Sequence, residues 1–131
     1  MTTPDNTPGV FDITTLDGDP TPVLDAIRAL PTNTTMGTAW WLHHITDHHD
    51  HCLTIGIHGD QGALTWDEEP HGTWIPEHGT NPTPNDNYQT PDGHPFTQLP
   101  CTEVPRHLVE TAITEFITTR TRPTCTTWIP A

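Results

Sequence analysis

Residues 102–128 read TEVPRHLVETAITEFITTRTRPTCTTW, and this stretch decides the fold. Its apolar residues recur at the spacing of one helical stripe: Leu108, Val109, Ala112, Ile113, Phe116 and Ile117. Pro105 suits the first turn of that helix, where a missing N–H costs little. Pro123 prevents the next residues from remaining helical, so the alternating tail up to Trp128 predicts a strand. The stretch is therefore scaffold, a helix followed by a strand, and it contains no pattern of catalytic residues.

A β-hairpin is the second clear element. Leu53, Ile55 and Ile57 alternate with smaller or polar residues, which predicts a strand with one apolar face. The turn at 59–62 and the return strand at 63–66 complete the pattern. Residues 52–67 therefore predict a hairpin.

Weaker signals predict the remaining elements. Asp19 and Pro20 are typical of a helix start, and Pro31 closes that helix. Further strands are predicted at 10–13, 38–45 and 73–75, with a polar turn at 32–35. The order predicts an α+β fold, an antiparallel β-sheet with two main helices packed on one face and a C-terminal strand after the last helix.

The chain of 131 residues predicts a single domain, 1–131. Residues 1–8 are polar and are predicted to be flexible. Gly, Pro, Asn and Asp dominate residues 77–100, which predicts a long loop region with at most one short strand around Tyr88. The composition therefore predicts a small core with an extended irregular segment.

The net charge is −13, from 17 acidic residues against 4 arginines, and lysine is absent. This balance argues against binding to nucleic acid or an anionic membrane, because both require cationic side chains. It favours a basic partner, or it serves solubility alone. No apolar run approaches the roughly 18 residues that span a bilayer, and residues 1–8 lack the features of a signal peptide. We therefore expect a soluble, cytoplasmic protein.

The nucleophilic residues fit no catalytic motif. The chain has 3 cysteines, no C-x-x-C motif and no serine. Cys52 and His51 are neighbours on a predicted strand, so their side chains point to opposite faces. No phosphate-binding glycine loop is present. The sequence predicts no catalytic residue, no cofactor and no enzymatic activity.

A histidine cluster provides the main alternative. It runs from the end of the strand predicted at 38–45 to the start of the hairpin and includes two carboxylates: His43, His44, Asp47, His48, His49, Asp50 and His51. Imidazole and carboxylate both bind metals, but the spacing matches no established metal motif. A polar turn is the simpler interpretation, and no metal ligand is predicted. A small His-rich metal-binding protein remains the alternative.

Three stretches of this chain resemble the Imm1 family of bacterial immunity proteins from polymorphic toxin systems. They are the hairpin at 53–66, the loop with Asn87 and Tyr88, and the segment from Glu103 to Trp128, which is the most specific. The resemblance runs from about Val23 to Trp128. The chain departs from the family pattern at 119–121, where a glycine is expected to close the helix.

The resemblance implies a small antidote that binds its toxin stoichiometrically, and family members are often linked to nucleic-acid deaminase toxins. An acidic protein suits the cationic groove of such a toxin. The predicted partner-binding residues, which would block substrate access, are Asp67, Glu68, Glu69, Glu77, Asp86, Tyr88 and Asp92. An acidic interaction adaptor without a toxin partner is a further alternative. The free oligomeric state and the choice between occlusion and allosteric inhibition stay open.

Overall fold

A computed structural model describes residues 9–30, 35–47, 49–69 and 71–131. Its elements are β1 (Val10–Asp12), a 3-10 turn (Ile13–Leu16), α1 (Thr21–Arg28), β2 (Gly37–Ile45), β3 (Asp50–His58), β4 (Gln61–Glu69), β5 (Gly72–Pro76), β6 (Asn85–Gln89), β7 (Pro95–Gln98), β8 (Glu103–Pro105), α2 (Arg106–Thr119) and β9 (Trp128–Pro130). The flexible segment predicted at 1–8, most of the turn predicted at 32–35 and His48 lie outside the described residues. In the described part of the chain, no helix is long and apolar enough to cross a membrane.

The strands form one mixed sheet in the order β7-β6-β2-β3-β4-β5-β9, with β1 beside β2 and β8 beside β4. Most pairs are antiparallel, as predicted, but β2 pairs in parallel with both β1 and β6. The β1–β2 pair is parallel because the chain returns through α1 before it enters β2. The mixed α+β composition and the strand that follows the last helix are confirmed.

The predicted hairpin is the centre of the sheet. Strands β3 and β4 pair along their whole length, so Leu53 lies opposite Trp66 and Thr54 opposite Thr65. Because side chains alternate along a strand, this register separates two faces. The face with Leu53 and Trp66 contributes to the hydrophobic core, and we call it the core face. The other face carries Thr54 and Thr65, and we call it the cleft face.

Both helices contribute to the same hydrophobic cluster as the core face. Helix α2 buries five residues of its predicted stripe, namely Val109, Ala112, Ile113, Phe116 and Ile117. The Phe116 ring contacts the Trp66 ring edge-on, with 5.0 Å between centroids. Helix α1 adds Val23 and Ile27. The spacing of the apolar residues in the sequence therefore identified most of the residues that the helices contribute to the core.

The start of α2 is shifted from the prediction. Pro105 is the residue before the helix and also ends β8, so it does not lie in the first turn. The residue after helix α2 is an arginine instead of a glycine. Arg120 takes the left-handed conformation at φ 59°, and its N–H donates a hydrogen bond to the Phe116 carbonyl. This explains the departure from the family pattern at 119–121, since a non-glycine residue accepts the usual glycine conformation there.

The segment from 77 to 100 is more ordered than its composition predicts. It contains the hairpin β6–β7, and Tyr88 on β6 is fully buried. The Tyr88 ring lies over Gly37 and Gly56, and a Cβ atom placed on Gly56 would be 2.7 Å from it. The two glycines thus make room for the ring. Tyr88 therefore belongs to the packed interior, and its assignment to the partner-binding residues stays a prediction.

Candidate partner-binding surface

The acidic residues Asp67, Glu68 and Glu69 do not form one surface. They are the last three residues of β4, so their side chains alternate between faces. On the cleft face, Thr73 Oγ1 donates a hydrogen bond to Asp67 Oδ1 at 2.5 Å. Glu68 Oε1 instead accepts a hydrogen bond of 2.7 Å from the indole of Trp66. The return strand predicted at 63–66 is longer in the structure, because β4 continues to Glu69.

The remaining predicted acids lie at separate edges of the sheet. Glu77 follows β5 and is exposed, with its Oε1 3.3 Å from the imidazole of His78. Asp86 is exposed on β6, and Asp92 is exposed in the β6–β7 turn. The hydrogen bond from Thr90 lowers the pKa of Asp92, so this carboxylate stays ionised at neutral pH. The structure brings Asp86 and Asp92 onto one hairpin, apart from Glu77.

A cleft of about 320 Å³ lies between β7 and the cleft face of the sheet. Its walls come from five strands and the residue after β7: Trp41, Thr54, Thr65, Asp67, Thr73 and residues 96–99. The Trp41 and Phe96 rings meet edge to face, with centroids 5.1 Å apart. Among the described residues that line this cleft, Asp67 is the only charged one. The cleft therefore combines an aromatic wall with a single carboxylate.

Gln98 also lines this cleft, and its side chain lies in an unusual environment. Its exposed fraction is 1%, and neither polar atom of its amide has a hydrogen-bond partner among the described residues. A smaller hollow of about 210 Å³ lies beside the cleft, lined by Ile75, Leu99, Pro100, Cys101 and Ala131. Leu99 is 42% exposed and belongs to both cavities. The two cavities are therefore adjacent.

The cationic residues of the chain all lie in or beside the helices. Arg28 and Arg106 both bind the carboxylate of Glu110, at 2.7 Å and 3.1 Å. Arg120 follows the last residue of α2, and the Arg122 guanidinium lies 5.7 Å from the centroid of the Trp74 ring. The chain has 4 arginines and no lysine. Since all four arginines lie in or beside the helices, none of them lines the cleft.

The histidine cluster is divided between the two faces of the sheet. His43 lies on the cleft face, where its Nδ1 atom is 3.2 Å from Asp50 Oδ1. His51 lies on the core side, with 5.5 Å between its ring centroid and that of Trp66. Within the ranges that the structure describes, no group of three or more His, Cys, Asp or Glu side chains is arranged to hold a metal ion.

Cys52 has a histidine neighbour that adjacency in the sequence does not reveal. His43 pairs with Cys52 across β2 and β3, and its Nε2 atom is 3.8 Å from the Cys52 sulfur. Burial raises the pKa of Cys52 to about 12. The thiol therefore stays protonated at neutral pH and is not an activated nucleophile. Only the register between the strands brings these two residues together.

Comparisons with known proteins identify the family. No curated protein gives a significant match. The profile of the family Immunity protein Imm1 matches residues 20–130. This match includes both helices and every strand from β2 to β9. The chain therefore belongs to the Imm1 family, whose members are immunity proteins that neutralise toxins.

Proposed function

We propose that this protein neutralises a cognate nucleic-acid deaminase toxin by placing its cleft face over the toxin's substrate site. Membership of the Imm1 family supports the toxin partner. The deaminase is the partner that the family resemblance implies. The protein acts by binding, without chemistry of its own, in the cytoplasm where the toxin would meet nucleic acid.

The distribution of charge is the observation that carries this mechanism. The net charge is −13, and the arginines lie in or beside the helices, with Arg28 and Arg106 paired to Glu110. In the proposal, both helices cover the core face and the cleft face is left for the partner. The negative potential of that face is then not neutralised by nearby cations. Such a field attracts a cationic partner and orients it before contact.

A deaminase suits this surface for an electrostatic reason. An enzyme that extrudes a base or acts on single strands holds the phosphate backbone with cationic side chains. An acidic protein competes for those side chains, and electrostatic steering raises the association rate. Rapid association protects the cell, because each unbound toxin molecule remains active.

The proposed contact surface is narrower than the acidic set predicted from sequence. Asp67 contributes from the cleft. The exposed residues Glu69, Glu77, Asp86 and Asp92 add negative charge at other positions of the surface. Glu68 is bound to the Trp66 indole and Tyr88 is buried, so neither belongs to it. The contact therefore centres on the cleft and the β6–β7 hairpin.

Co-expression tests the function directly. Where the neighbouring gene encodes a large secreted protein, the C-terminal domain of that protein is the partner to test. We expect this protein to restore growth and to co-purify in equimolar amount with an inactivated form of that domain. Absence of both effects would refute the proposal for that pair. Co-purification without loss of toxin activity would instead favour an adaptor, and stoichiometric zinc that survives dialysis would favour the metal-binding alternative.

A further inference from the structure

We propose that the cleft beside β7 binds an arginine side chain of the toxin, and that the adjacent hollow binds an apolar side chain of the same segment. The identity of the partner rests on the proposed function. The two cavities themselves indicate which side chains the bound segment carries.

Asp67 supplies the charge that an arginine requires. Thr73 donates to its Oδ1 atom at 2.5 Å, which orients the carboxylate. No residue that the structure describes donates to Oδ2, so this atom can accept from an incoming donor. Within the described chain, Asp67 forms no ion pair with Arg, Lys or His. An orientation that is fixed before binding reduces the entropy lost on association.

The aromatic wall favours arginine over lysine. Trp41 and Phe96 form an edge-to-face pair with centroids 5.1 Å apart, and both side chains are partly exposed. A planar guanidinium stacks on such a ring and still donates two hydrogen bonds to a carboxylate. The cleft volume of about 320 Å³ is near the lower end of ligand pockets. It therefore suits one long side chain rather than a folded element.

Gln98 provides a second, independent polar group at the cleft. Its side chain is 1% exposed, and neither the oxygen nor the nitrogen of its amide is hydrogen-bonded within the described residues. Buried polar groups are nearly always paired in native proteins. A rotation of the Gln98 side chain towards a bound guanidinium would allow its oxygen to accept a hydrogen bond.

The adjacent hollow identifies the second side chain of the segment. It is about 210 Å³ in volume and is lined by apolar groups such as Ile75 and Pro100. Leu99 is one of two large apolar residues that are exposed in the described chain, and it lies between the two cavities. Apolar contacts around an anchoring pocket exclude water from it and so support binding. A segment with an arginine followed by an apolar residue fits both cavities.

A short peptide tests this inference without the toxin. We would titrate N-acetyl-arginyl-leucinamide into the protein and follow the Trp41 indole and Gln98 amide signals by NMR. We expect saturable shifts at both signals, and about fivefold weaker binding to the Asp67→Asn variant. Asp25→Asn is the matched control, because Asp25 is exposed on α1, away from the cleft. This variant should bind as the parent protein does.

The same peptide with citrulline, a neutral analogue, in place of arginine tests whether binding requires the positive charge. Equal shifts with citrulline, no saturable shift at Trp41, or unchanged binding to Asp67→Asn would each overturn the inference. Failure of growth rescue with retained arginine binding would overturn the proposed function alone. Rescue without arginine binding would overturn the cleft assignment alone.

Discussion

The Tyr88 hydroxyl donates a hydrogen bond to Glu103 Oε2, with 3.2 Å between the two oxygens. Asn85 Nδ2 donates to the same carboxylate oxygen at 3.1 Å. Burial raises the pKa of Tyr88, and the charge of Glu103 raises it further. The hydroxyl therefore stays protonated and remains a donor throughout the neutral range. This contact joins the β6–β7 hairpin to β8 and holds one wall of the cleft in place.

Replacing Tyr88 with Phe removes this hydrogen bond and retains the buried ring. We expect the free energy of unfolding to fall by about 1–2 kcal/mol, because the acceptor is a partly buried carboxylate that keeps its bond from Asn85. Urea denaturation measures the change. Asp86→Asn is the control, since Asp86 is exposed on the same strand. Equal stability of Tyr88→Phe and the parent protein would show that ring packing alone holds the hairpin.

Asn81 organises the segment before β6 through four hydrogen bonds. Its Oδ1 accepts from the N–H groups of Thr102 and Glu103 at 2.9 Å and 2.8 Å. Its Nδ2 donates to the carbonyl groups of Thr83 and Leu99 at 3.0 Å and 2.8 Å. We expect Asn81→Ala to reduce the free energy of unfolding by about 2–4 kcal/mol, because buried backbone groups lose their partners.

Hydrogen exchange localises the effect of Asn81→Ala. The amides of Thr102 and Glu103 should exchange faster in the variant, while those in the β3–β4 hairpin change only through global stability. Asn87→Ala is the matched control, because Asn87 is exposed on β6. Unchanged exchange at Thr102 and Glu103 would contradict this role for Asn81.

The elements predicted correctly from sequence are those with a regular apolar period. Helix α2 buries one apolar stripe, and the β3–β4 hairpin places its large apolar residues on one face, so both patterns are visible in the order of the residues. The β6–β7 hairpin has no such period. It is held by the side chain of Asn81 and by the packing of Tyr88 on Gly37 and Gly56, which are distant in sequence. Its polar composition therefore predicted a loop.

The cleft was not predictable for a related reason. Trp41, Asp67 and Phe96 are separated by more than twenty residues from one another, and only the strand register brings them together. The predicted return strand ended at residue 66, so the pattern gave no direction for the side chains of Asp67 and Glu68. Once β4 extends to Glu69, alternation places the two carboxylates on opposite faces. Sequence pattern identified the acidic residues but not the direction of each side chain.

Cys52 should make stability depend on pH in the alkaline range. Burial raises its pKa from the ordinary value of 9.0 to about 12. Above pH 9 the unfolded chain loses this proton while the folded protein keeps it, so the unfolded state binds fewer protons. The contribution of the protonated Cys52 thiol to the free energy of unfolding is therefore complete below pH 9, and it is lost as the pH rises towards 12. We expect the urea midpoint to fall across this range.

The variant Cys52→Ala separates this effect from other alkaline titrations. It should be less stable at neutral pH, since it leaves a small cavity, but its midpoint should fall less steeply above pH 9. Cys101→Ala is the control, because Cys101 is only partly buried. Parallel pH profiles for the parent protein and Cys52→Ala would contradict the assignment.

Charge reversal should identify the docking face through association rates. Asp67→Lys places a cation in the cleft, Glu69→Lys changes the nearby edge, and Asp25→Lys makes the same change on α1. We expect Asp67→Lys to slow association with the inactivated toxin domain about tenfold at low ionic strength and also to speed dissociation. Glu69→Lys should have a smaller effect on association only, and Asp25→Lys the smallest. Stopped-flow fluorescence at several salt concentrations provides these rates.

Salt dependence distinguishes steering from a general effect of net charge. All three reversals change the net charge equally, so a difference between them reports the position of the charge. Screening should bring their association rates together as the Debye length falls below about 10 Å. The excess dissociation of Asp67→Lys should persist, because it reflects contact inside the cleft. If Asp67→Lys and Asp25→Lys associate equally fast at low salt, the cleft face is not the docking surface and the acidic charge serves solubility.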